Sequence, residues 1–295
     1  MAELNWSDSQ WQKVKDAVTE AFGKASVASA FLPMYGPLSG SAETVRNELV
    51  ELDKADGKKA VKLDADHDAA NVRLVNLRVK VELSTEQVAD ETLSNALLLF
   101  RRAANVLAQE EDRIVFNGYD PAAAHKSTFV SNDPKKQKGL VQTASISKLH
   151  RGKVLDSNGK STGIDEPVGP LLLKQVVEAM RTLENNFNPG PFAGVLGDDL
   201  FVAAHEPSSY SLVLPSDRIT PLLRGPLLRS GPMDAKTGIV VSLGSNAVDL
   251  VVGTPPTVQF LQRTEDAKFL FRVYTRFALR IRDKDAPPVA VFHLQ

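Results

Sequence analysis

Hydrophobic and polar positions alternate most regularly at Val75–Leu83. Val75, Leu77, Val79, Val81 and Leu83 interleave there with Asn76, Arg78, Lys80 and Glu82, and a period of two predicts a strand with one buried face. A second long alternation covers Lys268–Arg282, where Phe269, Phe271, Val273, Thr275, Phe277, Leu279 and Ile281 interleave with Arg272, Tyr274, Arg276, Arg280 and Arg282. Helical spacing replaces period two from Ser94 to Phe116. Ala96, Leu97, Phe100, Ala103, Ala104, Leu107 and Ile114 recur three and four apart without an internal Gly or Pro, and Asn117-Gly118 closes the segment. Such a helix spans about 34 Å.

The N-terminal segment carries its own start signals. Ser7 and Gln10 are spaced as a capping box, and Trp6 and Trp11 occupy the two hydrophobic-staple positions. Trp11, Val14, Val18 and Phe22 then form one apolar stripe opposite Lys13, Asp16 and Glu20, with Gly23 as the expected stop. A second capping box, Ser84 with Gln87, starts a helix after the first strand, and Gly169-Pro170 starts another with Leu173, Val176, Val177, Met180 and Leu183 on one side. Shorter elements fill the remainder: a strand at Phe192–Leu196, a helix at Asp198–Ala204, a polar loop at His205–Ser211 and a helix from Ser216 to Arg229. Buried strands follow at Ile239–Leu243 and Val248–Val252, and a last strand at Val289–His293. Two stretches are polar: Glu48–Ala70, a charged excursion, and Ser145–Pro167, rich in Lys, Ser, Gly and Asp. Long strands at both ends of a long helix, with an α/β block between them, make an α+β chain.

Composition narrows the class. The chain has 295 residues, with 35 Lys+Arg against 36 Asp+Glu, a net charge of −1, and 43% hydrophobic residues. That excludes a disordered tail protein and a polycation that coats nucleic acid. Cysteine is absent, so neither disulfides nor thiolate chemistry is available. No apolar run approaches the ~20 residues of a membrane span, and Met1–Gln10 lacks the basic and apolar regions of an export signal. The expectation is a cytoplasmic protein with no membrane partner.

Catalytic and cofactor motifs do not emerge from the sequence. His67, His125, His150, His205 and His293 share no metal-binding spacing. Asp64, Asp66, His67 and Asp68 are dense but lack the glycine turn and distal Glu of a calcium loop, and read as a solvated loop. Gly36-Pro37-Leu38-Ser39-Gly40 is not followed by Lys-Ser/Thr, and Gly-x-Ser-x-Gly does not occur. Gly244-Ser245, between two strands, suits a hairpin turn. Arg272, Arg276, Arg280 and Arg282 could form a phosphate or nucleic-acid track, but the balanced charge favours a salt-bridge ladder between subunits or a solvated face. No catalytic residue, metal site or cofactor is expected, which points to a binding or structural protein.

Several segments, in order, resemble the encapsulins, the nanocompartment shell proteins also called linocin-type. They are the helix with Trp11, Tyr35-Gly36-Pro37-Leu38, the helix ending Glu110-Glu111-Asp112-Arg113-Ile114-Val115-Phe116-Asn117-Gly118, Gly190-Pro191-Phe192 leading into Val195-Leu196, the Gly238–Leu250 strand pair and the Phe269–Arg282 strand. The resemblance covers nearly the whole chain, although the Ser145–Pro167 insert is longer than a compact member would carry. It implies the HK97 phage-capsid fold. Residues 1–47 and 72–140 would belong to the P-domain with its spine helix, 48–71 to the E-loop, 141–258 to the A-domain, and 259–295 to the last P-domain strands. The implied function is an icosahedral homo-oligomer, a 60-mer or quasi-equivalent multiple, that encloses a cargo enzyme and passes small molecules through pores at its symmetry axes. By the same resemblance, Trp11, Val14, Val18 and Phe22 would dock the C-terminal targeting peptide of the cargo, and His205, Glu206, Ser208 and Ser209 would line the pore. A phage or prophage major capsid protein, and less so a hydrolase or bacteriocin, are the alternatives.

Overall fold

A computed structural model of the chain describes residues 4–47, 51–53, 60–62, 71–131, 138–144, 146–149, 153–155, 161–165, 167–207, 212–283 and 286–295. Helix α1 is Asp8–Ala25 and α2 is the single turn Ala28–Phe31. Five short strands follow: β1 (Met34–Tyr35), β2 (Thr44–Val45), β3 (Glu51–Asp53), β4 (Ala60–Lys62) and β5 (Val72–Arg73). Next come β6 (Val75–Leu83), α3 (Thr85–Ala89) and the long α4 (Ser94–Asn117). Strands β7 (Thr128–Ser131), β8 (Ile146–Leu149), β9 (Lys153–Leu155) and β10 (Ser161–Asp165) lead to α5 (Val168–Asn185). The chain continues through β11 (Phe192–Leu196), α6 (Asp198–His205), α7 (Pro215–Leu223), β12 (Leu227–Arg229) and β13 (Thr237–Ser242). It closes with β14 (Val248–Arg263), β15 (Phe269–Ile281) and β16 (Val289–Leu294).

Two five-stranded sheets organise these elements. The first has the order β1-β14-β15-β6-β7 and the second β12-β11-β13-β16-β8. In the first sheet the period-two pattern does what it predicts: Val75, Leu77, Val79, Val81 and Leu83 face the core while Lys80 and Glu82 face out. Helices α1 and α4 cover that core face. The second sheet is apolar on both faces, which accounts for its unbroken hydrophobic runs. Ile239, Val241, Val289 and Val291 join the α4 core, whereas Val240, Phe292 and Leu294 pack beneath α5, α6 and α7. A Cβ at Gly238 would lie 2.3 Å from the Phe292 ring, so only glycine leaves room for it.

Helix ends follow their local signals. Both capping boxes form, Ser7 with Gln10 and Ser84 with Gln87. The Asp90 carboxylate accepts N–H bonds from Thr92 (2.9 Å) and Ser94 (3.0 Å) ahead of α4. Gly23 does not stop α1, which continues to Ala25 because Ser26 N–H still bonds the Phe22 carbonyl at 2.9 Å. The helix expected over Ser216–Arg229 ends at Leu223: Gly225-Pro226 interrupts it, and Leu227–Arg229 becomes a strand parallel to β11.

The pairings also redraw the expected domain boundaries. Strand β14 pairs with β15 in the first sheet, so the boundary placed at 258 falls inside a strand, and the change of sheet lies between Ser242 and Val248. Strand β16 pairs with β13 and β8, so Val289–Leu294 belongs to the second sheet, apart from β14 and β15. Since β13 and β14 lie in different sheets, Gly244-Ser245 joins the sheets and is not a hairpin turn. Of the excursion, β3 pairs antiparallel with β4, and the Asp64–Asp68 cluster lies outside the described residues. Among the described residues no helix is long and apolar enough to cross a membrane, and no group of three or more His, Cys, Asp or Glu could hold a metal ion.

The end of α4 buries three consecutive acids. Glu110 is paired with Arg113 at 2.5 Å and accepts the His125 N–H at 3.3 Å. Asp112 accepts the N–H groups of Val27 and Ala28, both at 2.8 Å, and the Ser26 hydroxyl at 3.2 Å, which ties the α1–α2 junction to α4. Burial nonetheless pushes its carboxyl up to about 6. Glu111 is driven well above the usual carboxylate range by burial first and then by the neighbouring charge of Asp112. An acid whose folded-state pKa is raised gives its full stability below the unfolded pKa and loses it as pH rises towards the folded value. Glu111→Gln should therefore raise the thermal midpoint at pH 7.5, by about 2–4 °C for each ~1 kcal/mol recovered. The gain should shrink towards zero as the pH falls to about 4, as followed by calorimetry across that range. Asp112→Asn should lower the midpoint, because an amide cannot accept the same set of donors.

Candidate functional site

The face of α1 that carries the apolar stripe is turned inward. Val14 and Val18 are 0% exposed and Phe22 is 6% exposed, all within the main core against α4. The docking role expected for Val14, Val18 and Phe22 is corrected on this point: a side chain sealed by its own chain offers no surface to a ligand. Trp11 differs. It is half-buried, its ring centroid lies 5.1 Å from that of Trp6 in an edge-on contact, and it lies 6.3 Å from Phe271. Trp6 stacks on Phe271 at 5.1 Å and donates its indole N–H to the Val88 carbonyl at 3.0 Å. An aromatic cluster therefore supports Trp11 from below while its outer edge stays open.

That edge borders a groove of about 540 Å³ between α1 and β14, lined by Asp8, Trp11, Gln12, Lys15, Val258, Gln259 and Phe260. The Phe260 ring lies 5.3 Å from Phe271, so both apolar walls rest on the same cluster. Its lining combines the apolar Trp11, Val258 and Phe260 with one carboxylate, one ammonium and two amides. The sequence pattern locates Trp11 but misses Val258 and Phe260. Pro255-Pro256 reads as the end of a strand, yet β14 runs through it by shifting register between Val252 and Thr254 and again between Thr254 and Thr257. The usable signal was the alternation Val258-Gln259-Phe260 just beyond the prolines.

The expected pore residues lie apart from this groove, at the end of α6. His205 and Glu206 are exposed there, and Ser208 and Ser209 lie outside the described residues. The His205 imidazole folds back on its own helix, donating from Nδ1 to the Phe201 carbonyl at 2.8 Å and packing on the Phe201 ring at 4.3 Å. Val202 on α6, Leu212 ahead of α7 and Leu222 in the last turn of α7 expose apolar surface, Leu212 to 93%.

The arginines that alternate from Arg272 to Arg282 find partners within their own chain. Arg272 bonds the amide oxygen of Gln259. Arg276 and Arg280 donate to backbone carbonyls of the 40–46 segment, and Arg280 is buried in an ion pair with Asp249. Two of the four are thus internal fasteners.

The family model Linocin_M18, described as encapsulating protein for peroxidase, matches residues 3–278. The chain belongs to this encapsulin family. The type 1 encapsulin shell protein EncA of Myxococcus xanthus is 24% identical over 97% of this chain and 93% of its own length. The diheme-cytochrome-encapsulin shell fusion protein of Kuenenia stuttgartiensis is also 24% identical, over 95% of this chain and 72% of its own length. Among solved structures, the virus-like particle from Pyrococcus furiosus superposes with a TM-score of 0.68 at 17% identity, covering 96% of this chain and 99% of that one. The encapsulin chain accordingly has the HK97 capsid fold, α+β.

The two faces of α1 in this encapsulin should respond differently to charge. Val18→Asp buries a carboxylate in the core and should cost about 4–5 kcal/mol or more, so little folded protein should be recovered. Lys15→Glu, on the groove rim, should stay within about 0.5 kcal/mol of the parent. Urea unfolding of the two variants checks both.

Proposed function

We propose that this chain is the subunit of a closed icosahedral shell that encloses a cargo enzyme and admits small molecules through openings at its symmetry axes. The match of the encapsulin family model to residues 3–278, on a chain with the capsid fold, carries the reading. The shell subunit contributes confinement, and the chemistry belongs to the cargo. The reading needs no cofactor, nucleic acid or membrane. Phage capsid proteins share the fold at low identity, which supports the architecture but not a genome as cargo.

Within the shell, the groove of Trp11, Val258 and Phe260 is the docking place for the C-terminal peptide of the cargo. Each apolar side chain buried there contributes roughly 1.5–3 kcal/mol, so a peptide with two or three such anchors binds weakly alone and firmly when several are displayed on one cargo oligomer. His205 and Glu206 at the α6 tip, with the Ser208-Ser209 segment, are the pore-lining candidates. The exposed Val202 and Leu212, near them in the chain, are surface that neighbouring copies would cover.

Size-exclusion chromatography with negative-stain microscopy should show closed particles of about 60 subunits or a quasi-equivalent multiple; a stable monomer would overturn the reading. Trp11→Ala combined with Phe260→Ala should leave particles intact but free of co-purified cargo. Mass spectrometry finding the parental cargo load in that variant would remove the groove from consideration.

A further inference from the structure

The segment that leads into the 48–71 excursion is fastened to β15 mainly through its backbone. Arg276 donates to the carbonyls of Gly40, at 2.7 Å, and of Ala42. Arg280 Nη1 donates to the Arg46 carbonyl at 3.1 Å, and Asn47 Nδ2 donates to the Ile281 carbonyl at 3.0 Å. Strands β2 and β5 pair Thr44 with Arg73 and Val45 with Val72, so the outgoing and returning chains are joined at the root. Beneath them Val45, Leu74, Val251 and Ala278 form a small separate core. Gly253 admits it, since a Cβ there would lie 2.5 Å from Leu74 Cδ1.

Arg280 is the centre of this arrangement. Its Nε donates to Asp249 Oδ1 at 2.9 Å and its Nη2 to Oδ2 at 2.5 Å, while the Tyr35 ring lies over the guanidinium plane at 4.5 Å. Arg282 reaches the same carboxylate at 2.9 Å. Two edges of the guanidinium are therefore assigned to Asp249 and Arg46, and one face to Tyr35. The Arg280 and Asp249 side chains are only 7% and 9% exposed. A buried ion pair is a poor source of net stability, because desolvation offsets its attraction, and its better attested use is to specify one geometry. Neutralising Asp249 alone would need only an ammonium; a planar fork with its edges occupied fixes an orientation.

We propose that Arg280, held by Asp249, is a positioning residue that sets the direction in which the 48–71 excursion leaves its β2–β5 root. The proposal rests on the shell reading for its consequence, since an arm that meets a neighbouring subunit must arrive at one place. An excursion of 24 residues that folds back on itself reaches at most about 40 Å from its root. A tilt of about 10° there moves its tip by about 7 Å, far beyond the tolerance of a hydrogen bond.

The experiment compares the full-length parent with Arg280→Lys, which keeps the charge opposite Asp249 but loses the fork. Amide hydrogen exchange should become faster at residues 44–47 and 72–74 with α4 unchanged, and electron microscopy should show loss of uniform closed particles. Unchanged exchange at the root would overturn the proposal, and so would a loosened root with particles as uniform as the parent's. Should Arg280→Lys fail to fold, Asp249→Asn, which keeps Arg280 but removes the carboxylate that holds its fork, provides the same two measurements, and the same two results overturn the proposal. A parent chain that forms no particles would refute the shell reading, whereas the exchange measurement would still decide whether Arg280 orders the root.

Discussion

The pairing of β14 with β15 is the constraint on which the other parts of the molecule depend. These two strands, of 16 and 13 residues, run the length of the first sheet, and each of their faces is committed. On one face Phe271 carries Trp6, Trp11, Phe100 and Phe260, which docks α1 and builds the floor of the groove. On the other, Arg276 and Arg280 hold the 40–47 segment and so the root of the excursion. A change in the register of this pair would move both at once, because a slip of one residue exchanges the faces of a strand. The groove and the arm root thus depend on one piece of backbone.

Much of this was legible in the amino-acid sequence, for definite reasons. Strands β6 and β15 were readable because each buries one face, and α4 because its apolar positions recur at helical spacing with no breaker. The capping boxes at Ser7 and Ser84 were readable because capping is decided within four residues. What could not be read was set at long range. Pro255 and Pro256 look like a strand end, and only the partner strand β15, through shifts of register, lets β14 pass them. Likewise β13 and β14 are adjacent in sequence with a glycine between them, yet they enter different sheets because β13 finds its partners in β11 and β16.

The site shows the same division. An apolar stripe at spacings of three and four says which residues of α1 are hydrophobic, but a stripe that packs on α4 and one that borders an open groove have the same pattern. Val14, Val18 and Phe22 pack in the core and Trp11 lies at the edge of the groove. The decision lies in the width of the face that α4 and the sheet can cover, a property of the assembled core. The arginines of β15 are divided in the same way. Alternation placed Arg276 and Arg280 away from the strand's apolar side, but what lies against that side, a segment more than 230 residues earlier, is invisible to a local pattern.

The charge distribution takes on meaning from these assignments. With 35 basic and 36 acidic side chains, two copies of the chain meet with little long-range repulsion. Within the described residues, several of the best-formed pairs are internal: Arg280 and Arg282 with Asp249, and Arg113 with Glu110. These charges fix the subunit's own geometry and are not available to attract a neighbour. What the subunit does expose is apolar surface at Leu98, Phe129, Phe187 and Leu212, whose burial is driven by release of water and is little affected by salt screening. On the shell reading, copies of such a subunit would meet through apolar contact, while Arg276 and Arg280 hold the root of the excursion in one place. Adhesion without that rigidity gives aggregates; with it, a fixed angle between neighbours repeats until the surface closes.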